Sequence, residues 1–181
     1  MGRHDEAEPL LKDALAKRAR KLGPDHPKTL NTRHGLALLY MGMGRYYEAE
    51  PVLEEVLDKQ ERKLGPDHPD TLRTRGSLAF LYMGMTRHHE AEPLFKQVLA
   101  KREHKLGPHH PDTVDARNNL ASLYERMGRH EEAERCKKVG LGPSDTLAKL
   151  EQFRTPADNG EFARDEALTS DCLDRPGSRI C

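Results

Sequence analysis

Apolar residues recur along the chain with the spacing of α-helices, in two kinds of segment that alternate. In residues 27–42 the apolar positions are Leu30, Leu36, Leu39 and Tyr40. In residues 45–64, where Glu, Lys and Arg fill the other face, they are Ala49, Val52, Leu53, Val56 and Leu57. Side chains three and four residues apart share one side of a helix. The pattern therefore predicts two amphipathic helices joined by a short turn.

Proline and glycine mark the ends of these two helices. Pro27 suits the first helical position, because the N–H that proline lacks would have no partner there. Gly42 and Gly44 separate the first helix from the second. Gly65, followed directly by Pro66, predicts the end of the second helix.

A proline also falls inside each second helix, at Pro9, Pro51 and Pro93. An interior proline removes one backbone hydrogen bond and kinks a helix. Either the helix begins after the proline, or it bends there in every copy. We favour the bend, because the alanine two residues before each proline already fits the apolar face.

The whole pattern repeats every 42 residues. Glu-Ala-Glu begins at residues 6, 48, 90 and 132, and Leu-Gly-Pro begins at residues 22, 64 and 106. Residues 1–42 and 43–84 are identical at 28 of 42 positions. One helical hairpin cannot bury its apolar face alone, whereas stacked hairpins bury it against their neighbours. The sequence thus predicts an all-α fold, a right-handed superhelical solenoid of antiparallel helix pairs.

The phase of the repeat divides the chain into units. Half a repeat, residues 1–26, comes first and is followed by units at 27–68, 69–110 and 111–141. We expect a short capping helix at 142–154 and a disordered tail at 155–181, where charged and small residues show little pattern. Since the first unit lacks its first helix, the face around Leu10 and Leu11 should stay uncovered and promote self-association.

Composition and charge narrow the classes of function. The chain has 30 basic and 30 acidic residues, so no net charge attracts nucleic acid or an anionic membrane. No apolar run approaches the roughly 18 residues that a membrane span needs. The three scattered cysteines form neither a disulfide framework nor a metal spacing, which favours reduced thiols in the cytoplasm.

Histidines and carboxylates recur with the repeat, and both are better explained as structure than as chemistry. His26, His68 and His110 occur once per repeat, and we interpret them as turn and cap residues because zinc needs convergent ligands. The carboxylates of Glu-Ala-Glu are two residues apart, hence on different helix faces, and we interpret them as solvated surface.

Cys136 is the one thiol with an unusual setting. Lys137 and Lys138 follow it directly and would lower its pKa, but no His or Asp partner is assigned to it. We expect an inert or mildly reactive thiol. Altogether we predict no enzymatic activity, no metal site and no cofactor.

Three motifs resemble the tetratricopeptide repeat in the 42-residue form found in kinesin light chains. They are Gly-Arg-(Tyr/His)-x-Glu-Ala-Glu-Pro, Leu-Gly-Pro-Asp-His-Pro-x-Thr-Leu, and Asn-Asn-Leu-Ala-Ser-Leu-Tyr at residues 118–124, within a resemblance that covers about residues 1–141. The resemblance implies that the first helix of each pair lines a concave groove that binds extended or helical peptides. It places in that groove, copy by copy, Asn31, His34, Gly35, Leu38 and Met41; Arg73, Gly76, Ser77, Phe80 and Met83; and Asp115, Asn118, Asn119, Ser122 and Glu125.

The resemblance also implies how a peptide would be held. Asn118 and Asn119 are similar to the paired asparagines with which the family grips a peptide, since an amide both donates and accepts hydrogen bonds. The other two copies have His-Gly and Gly-Ser at this place, which predicts weaker gripping in the N-terminal half. There, leucine, phenylalanine and methionine at the groove positions predict an apolar and adaptable surface.

These observations predict a cytoplasmic scaffold for protein–protein interaction. Its ligand would be a protein or peptide with an apolar face, bound on the concave surface of residues 27–126, and neither nucleic acid nor a membrane would be a partner. The alternative is a fragment of a longer kinesin-light-chain-like adaptor or sensor, whose role is to extend the solenoid.

Overall fold

The computed structural model describes residues 4–139 and places the side chains of residues 6–138. Seven α-helices, and no strand, occur in this part of the chain. They are α1 (His4–Leu22), α2 (Pro27–Gly42), α3 (Tyr46–Leu64), α4 (Pro69–Gly84), α5 (His88–Leu106), α6 (Pro111–Arg126) and α7 (His130–Val139). The capping helix and the tail that we expect at 142–154 and 155–181 lie outside the described residues.

The helices begin and end at the predicted prolines and glycines. Pro27 opens α2, and the equivalent prolines open α4 and α6. Gly65 ends α3 with a left-handed φ of 89°, and its N–H donates to the carbonyl of Glu61 at 3.1 Å. Glycine is favoured there because a Cβ strains this backbone conformation.

Pro9, Pro51 and Pro93 each lie inside a helix, in α1, α3 and α5. The interpretation in which the helix begins only after the proline is therefore wrong. Each proline is the sixth residue of its helix, so the hydrogen bond that it removes lies close to the N-terminal end. The bend itself stays a prediction.

The apolar faces of the helices form one continuous core. Every helix packs against the next helix of the chain, and α2 also contacts α4. The fully buried side chains come from both helices of each pair and include Leu30, Ala37, Leu53, Val56, Ala79, Leu81, Ala91 and Leu123. The predicted all-α solenoid of antiparallel helix pairs is confirmed.

A repeated arginine ties each hairpin to the hairpin before it. The guanidinium of Arg87 lies 4.4 Å from the ring centroid of Tyr82 and bonds the carboxylates of Glu50 and Glu90, each at 2.6 Å. Glu90 belongs to the helix that begins at this turn, whereas Glu50 belongs to the previous repeat. We call the series the arginine ladder; its other members are Arg45 with Tyr40, Glu8 and Glu48, and Arg129 with Tyr124, Glu92 and Glu132.

The arginine ladder explains the Glu-Ala-Glu motif and corrects its interpretation as solvated surface. Glu48 keeps 53% of its side chain exposed, but Glu50 keeps only 19%, because the arginine of the next hairpin covers it. Ala49, between them, is fully buried. In the next copy the hydrogen bond from Arg87 lowers the pKa of the Glu90 carboxyl below its ordinary value, which keeps this carboxylate charged.

The outer face of α1 is uncovered, as the repeat phase predicts. Leu10 is 70% exposed, and Leu11 is only half-buried, whereas its equivalents Leu53 and Phe95 are 0% and 1% exposed. The second helices α3 and α5 are each packed between two first helices, while α1 packs against one first helix, α2, in the described part of the chain. Self-association through this face stays a prediction.

Candidate functional site: an apolar pocket between α2 and α4

Four of the predicted groove residues of the first two copies meet at one pocket between α2 and α4. Its volume is about 410 Å³. The lining residues are Leu38, Met41, Gly42, Tyr46, Ser77, Phe80 and Gly84. Four of these seven, Leu38, Met41, Ser77 and Phe80, are groove residues predicted from the sequence. The wall is largely apolar, and the pocket is wide enough for a large side chain of a ligand.

Phe80 connects the pocket with the core beneath it. Leu38 and Phe80 are 42% and 36% exposed, which is unusual for large apolar side chains in a small protein. The ring of Phe80 meets Phe95 edge to face, with centroids 5.1 Å apart and planes at 85°. Because Phe95 is 1% exposed, the buried ring holds the exposed one in a fixed orientation.

The pocket is also lined by Tyr46, Gly42 and Gly84, which were not predicted from the sequence. A Cβ on Gly84 would lie 3.2 Å from two carbons of the Tyr46 ring, so the absence of a side chain lets the tyrosine pack over α4. Tyr46 stands where every other copy has histidine, and the third copy has Arg126 where the first two have glycine. A comparison of these equivalent positions carries the signal that would have found them.

His34 lies beneath the pocket and is bound to one of its lining residues. Its side chain is 5% exposed, and its Nε2 lies 3.0 Å from Oγ of Ser77. Since the Ser77 hydroxyl donates to the carbonyl of Arg73 at 3.1 Å, it accepts from His34, which places a proton on Nε2 of the imidazole. Burial, helped by the charge of Arg73 and opposed by Asp70, lowers the pKa of His34 to about 4.

We predict that His34 makes the fold sensitive to acid. Its pKa falls from about 6.5 in the unfolded chain to about 4 in the folded one, so the unfolded chain binds more protons between these values. Its contribution to stability is complete above pH 6.5 and is lost as the pH falls to 4, on the order of 3 kcal/mol in all. In His34→Asn, which introduces the residue of the third copy, urea unfolding at pH 7 and pH 4.5 should differ less than in the unchanged chain.

The matched control for this experiment is His104→Asn, at an exposed position of α5. This variant should keep the full acid dependence. An equal loss of stability on acidification in His34→Asn and in the unchanged chain would contradict the assignment.

The remaining predicted groove residues occupy three kinds of environment. Met83 is 8% exposed and belongs to the core, so it does not line the groove. Asn31 accepts a hydrogen bond from Arg73 at 3.1 Å, and Arg73 also pairs with Asp70 at 2.8 Å. On α6 the predicted residues lie outside the pocket; Asn119 is half-buried, and the exposed ones are Asp115, Asn118, Ser122 and Glu125.

The side-chain amides of Asn118 and Asn119 on α6 are not engaged within the described part of the chain. Neither amide makes a hydrogen bond to any residue that the structure describes. In the first two copies, by contrast, the equivalent polar groups of His34 and Ser77 are bound to each other. This difference supports the expectation that peptide gripping by side-chain amides is strongest in the third copy.

The histidines of the turns cap the first helices, as predicted. The Nδ1 atoms of His26, His68 and His110 accept hydrogen bonds from the backbone N–H two residues later, at 3.2, 3.1 and 3.2 Å. An acceptor at this position satisfies one of the N–H groups that a helix leaves unpaired at its start. These nitrogens are therefore used within the fold.

Cys136 differs from its sequence-based interpretation. Partial burial raises the pKa of its thiol above the ordinary value, so the expectation that Lys137 and Lys138 lower it is wrong. Both lysines are exposed on α7, and Lys137 pairs with Glu125 and Glu134. A thiol held in the protonated form is a weak nucleophile, which agrees with the expected low reactivity.

Residues 4–139 contain neither a metal-ligand cluster nor a membrane-spanning helix. No group of three or more His, Cys, Asp or Glu side chains there is arranged to hold a metal ion. None of α1 to α7 combines the length and the apolar character that crossing a bilayer requires.

Comparison with known families identifies the class of protein. The family model described as tetratricopeptide repeat matches residues 1–41, 32–100 and 74–141. These matches span more than half of the chain, and they coincide with the stacked hairpins described above. The chain belongs to the tetratricopeptide repeat family. No curated protein matches it.

Solved structures narrow the resemblance to kinesin-light-chain-like repeats. A candidate kinesin light chain of Podosopora anserina with nearly identical TPR-like repeats is 30% identical, with a TM-score of 0.70 over 83% of this chain and 76% of that one. A single-residue variant of it is 31% identical, with a TM-score of 0.69 over 84% and 70%. BtubC (BKLC) from P. vanneervenii has a TM-score of 0.66 over 97% and 65%, and at 21% identity it shows the fold alone.

Proposed function

We propose that this chain is a protein-interaction scaffold that binds a peptide or a partner helix in the concave groove formed by α2, α4 and α6. The observation that carries the proposal is the apolar pocket between α2 and α4, where Leu38 and Phe80 remain exposed beside two glycines. Exposed apolar side chains that line a concave surface are typical of binding sites.

The family and the neighbouring structures support this proposal. Tetratricopeptide repeats generally serve as scaffolds for protein–protein interaction, and kinesin-light-chain-like repeats share this architecture. The three copies of the groove are chemically different, although the packing between the repeats is nearly the same. When groove residues select a ligand, we expect them to differ between copies while the packing that positions them stays the same.

The proposal predicts that Phe80→Ala removes binding while the chain stays folded. Random peptides displayed on phage would be selected on the immobilised chain, and the enriched peptides should share a large apolar residue. Their affinity, measured by fluorescence anisotropy, should fall at least about tenfold for Phe80→Ala, because the removed ring forms a wall of the pocket.

The matched control is Tyr47→Ala. Tyr47 is an aromatic side chain with 83% exposure, and it does not line the pocket although Tyr46 beside it does. This variant should bind as the unchanged chain does. Selection that enriches no peptide, or peptides that bind Phe80→Ala and the unchanged chain equally, would refute the groove as the binding site.

A second candidate function is the extension of a longer solenoid. The exposed Leu10 and the half-buried Leu11 on α1 favour it, since the equivalent faces of α3 and α5 are covered by a first helix. A helix from another chain, including a second copy, would cover the same face. Sedimentation as a monomer at every concentration would exclude self-association through α1.

The cytoplasmic location predicted from the cysteines also stays a prediction.

A further inference from the structure

The groove changes its chemistry between the second and third copies. The positions of Leu38 and Phe80 are taken by Ser122 on α6, and that of Gly84 is taken by Arg126. The positions that line the apolar pocket on α2 and α4 are therefore occupied by polar residues on α6. A ligand seated in it and continuing along the groove meets polar side chains on α6.

Asp115 is the unpaired carboxylate of this polar part. It is exposed on the groove face of α6, and it forms no ion pair or hydrogen bond with any residue in the described part of the chain. Its equivalents are Asn31 and Arg73. Arg73 does not neutralise the carboxylate of Asp115, because its guanidinium is held by Asp70 at 2.8 Å and by Asn31 of the first copy at 3.1 Å.

The other charged residues of α6 do not neutralise the negative charge of Asp115. Arg117 is buried and paired with Glu103 at 2.6 Å. The Nδ1 atom of His110 is used within the fold, since it accepts a hydrogen bond from the Asp112 N–H at 3.2 Å. Arg126, which is exposed, stands at the opposite end of the helix.

The electrostatics of a helix end do not account for Asp115. Acidic residues stabilise the first turn of a helix, and Asp112 lies there, as Asp70 does in the second copy. Asp115 is the fifth residue of α6, beyond that turn. The second copy has an arginine at the equivalent position, so the fold does not require a carboxylate there.

We propose that the groove selects peptides in which one large apolar side chain and one basic side chain lie four or five residues apart. The apolar side chain fills the pocket, Asn118 and Asn119 bond the peptide backbone, and Asp115 pairs with the Lys or Arg. From the pocket to Asp115 the peptide crosses one repeat diagonally, roughly 15 Å, which is about four or five residues of extended chain. This inference rests on the proposed function of the groove.

The test uses peptide probes that differ in one residue. Each is a labelled peptide of alanine and serine with a single Phe and, about four residues away on either side, Lys, Gln or Glu. Affinities for the complete chain would be measured by fluorescence anisotropy at low and at high salt. The Lys probe should bind about two- to fivefold more tightly than the Gln probe in at least one orientation, as expected for an exposed ion pair.

Two substitutions of Asp115 make the inference falsifiable. Asp115→Asn should remove the preference for Lys, Asp115→Lys should convert it into a preference for Glu, and salt should weaken both preferences. Asp58→Asn, on α3 outside the pocket, is the control and should change nothing. Equal binding of the Lys and Gln probes, tighter binding of the Glu probe, or a Lys preference that survives Asp115→Asn would overturn the inference.

The outcomes separate this inference from the proposed function. If the Gln probe binds and loses affinity with Phe80→Ala, the groove binds peptides whatever the charge preference. If none of the probes binds, the groove proposal and this inference fail together.

Discussion

Replacing Phe95 with alanine should lower the free energy of unfolding by about 3–5 kcal/mol, a large effect for a single substitution. The ring is 1% exposed in the central hairpin and supports Phe80 from below. Its removal leaves a cavity where neighbouring hairpins share their core. Because each repeat is stabilised mainly by its neighbours, loss at this position weakens the array on both sides. Urea unfolding followed by circular dichroism measures the change.

Phe80→Ala is the informative comparison, since the two rings touch. Phe80 is 36% exposed, so its loss should cost only about 1–2 kcal/mol of stability. The two variants should therefore separate stability from binding. If Phe95→Ala and Phe80→Ala had the same midpoint of unfolding, the division into a buried support and an exposed pocket wall would be incorrect.

Ala91→Leu should destabilise the chain by about 1–3 kcal/mol, although both residues are apolar and favour helices. Ala91 is fully buried, and the residues on either side of it are fixed by the arginine ladder. Glu90 is bonded to Arg87 at 2.6 Å and Glu92 to Arg129 at 2.7 Å. The helix cannot move outward to admit a larger side chain without breaking these ion pairs. Thermal or urea unfolding would measure the effect.

Ala100→Leu in the same helix is the control, because Ala100 is exposed. This substitution should change the stability by no more than about 0.5 kcal/mol. A chain that tolerates leucine equally at both positions would show that the hairpins are not packed as closely around Ala91 as the structure indicates.

The fold could be predicted from the sequence because the signals that specify it recur in every copy. Proline at the start of each first helix, glycine at the end of each second helix and the 42-residue period all agree with the helix bounds found. The arginine ladder was not predicted. Its contacts join residues 37 positions apart, such as Arg87 and Glu50, and the spacing of charges along a single helix does not reveal them.

The pocket could be predicted only in part. Leu38 and Phe80 followed from the resemblance to the tetratricopeptide repeat, whereas Tyr46 belongs to a second helix and packs over α4 because Gly84 has no side chain. Met83 has the same residue type as Met41 one repeat earlier, yet it is buried. Equivalent positions in a repeat differ in burial when their neighbours differ, and that difference depends on packing between copies.

The arginine ladder has a consequence for how such a gene can change in length. Each arginine of the ladder pairs with one glutamate of the helix that begins at its own turn and with one glutamate of the hairpin before it. These pairs recur at intervals of one repeat. Loss of residues 46–87 would place Arg45 directly before α5, where Glu90 takes the place of Glu48. The stacking contacts would be restored, but the pocket, which needs α2 beside α4, would disappear. Recombination between copies can thus alter what is recognised while leaving the architecture intact.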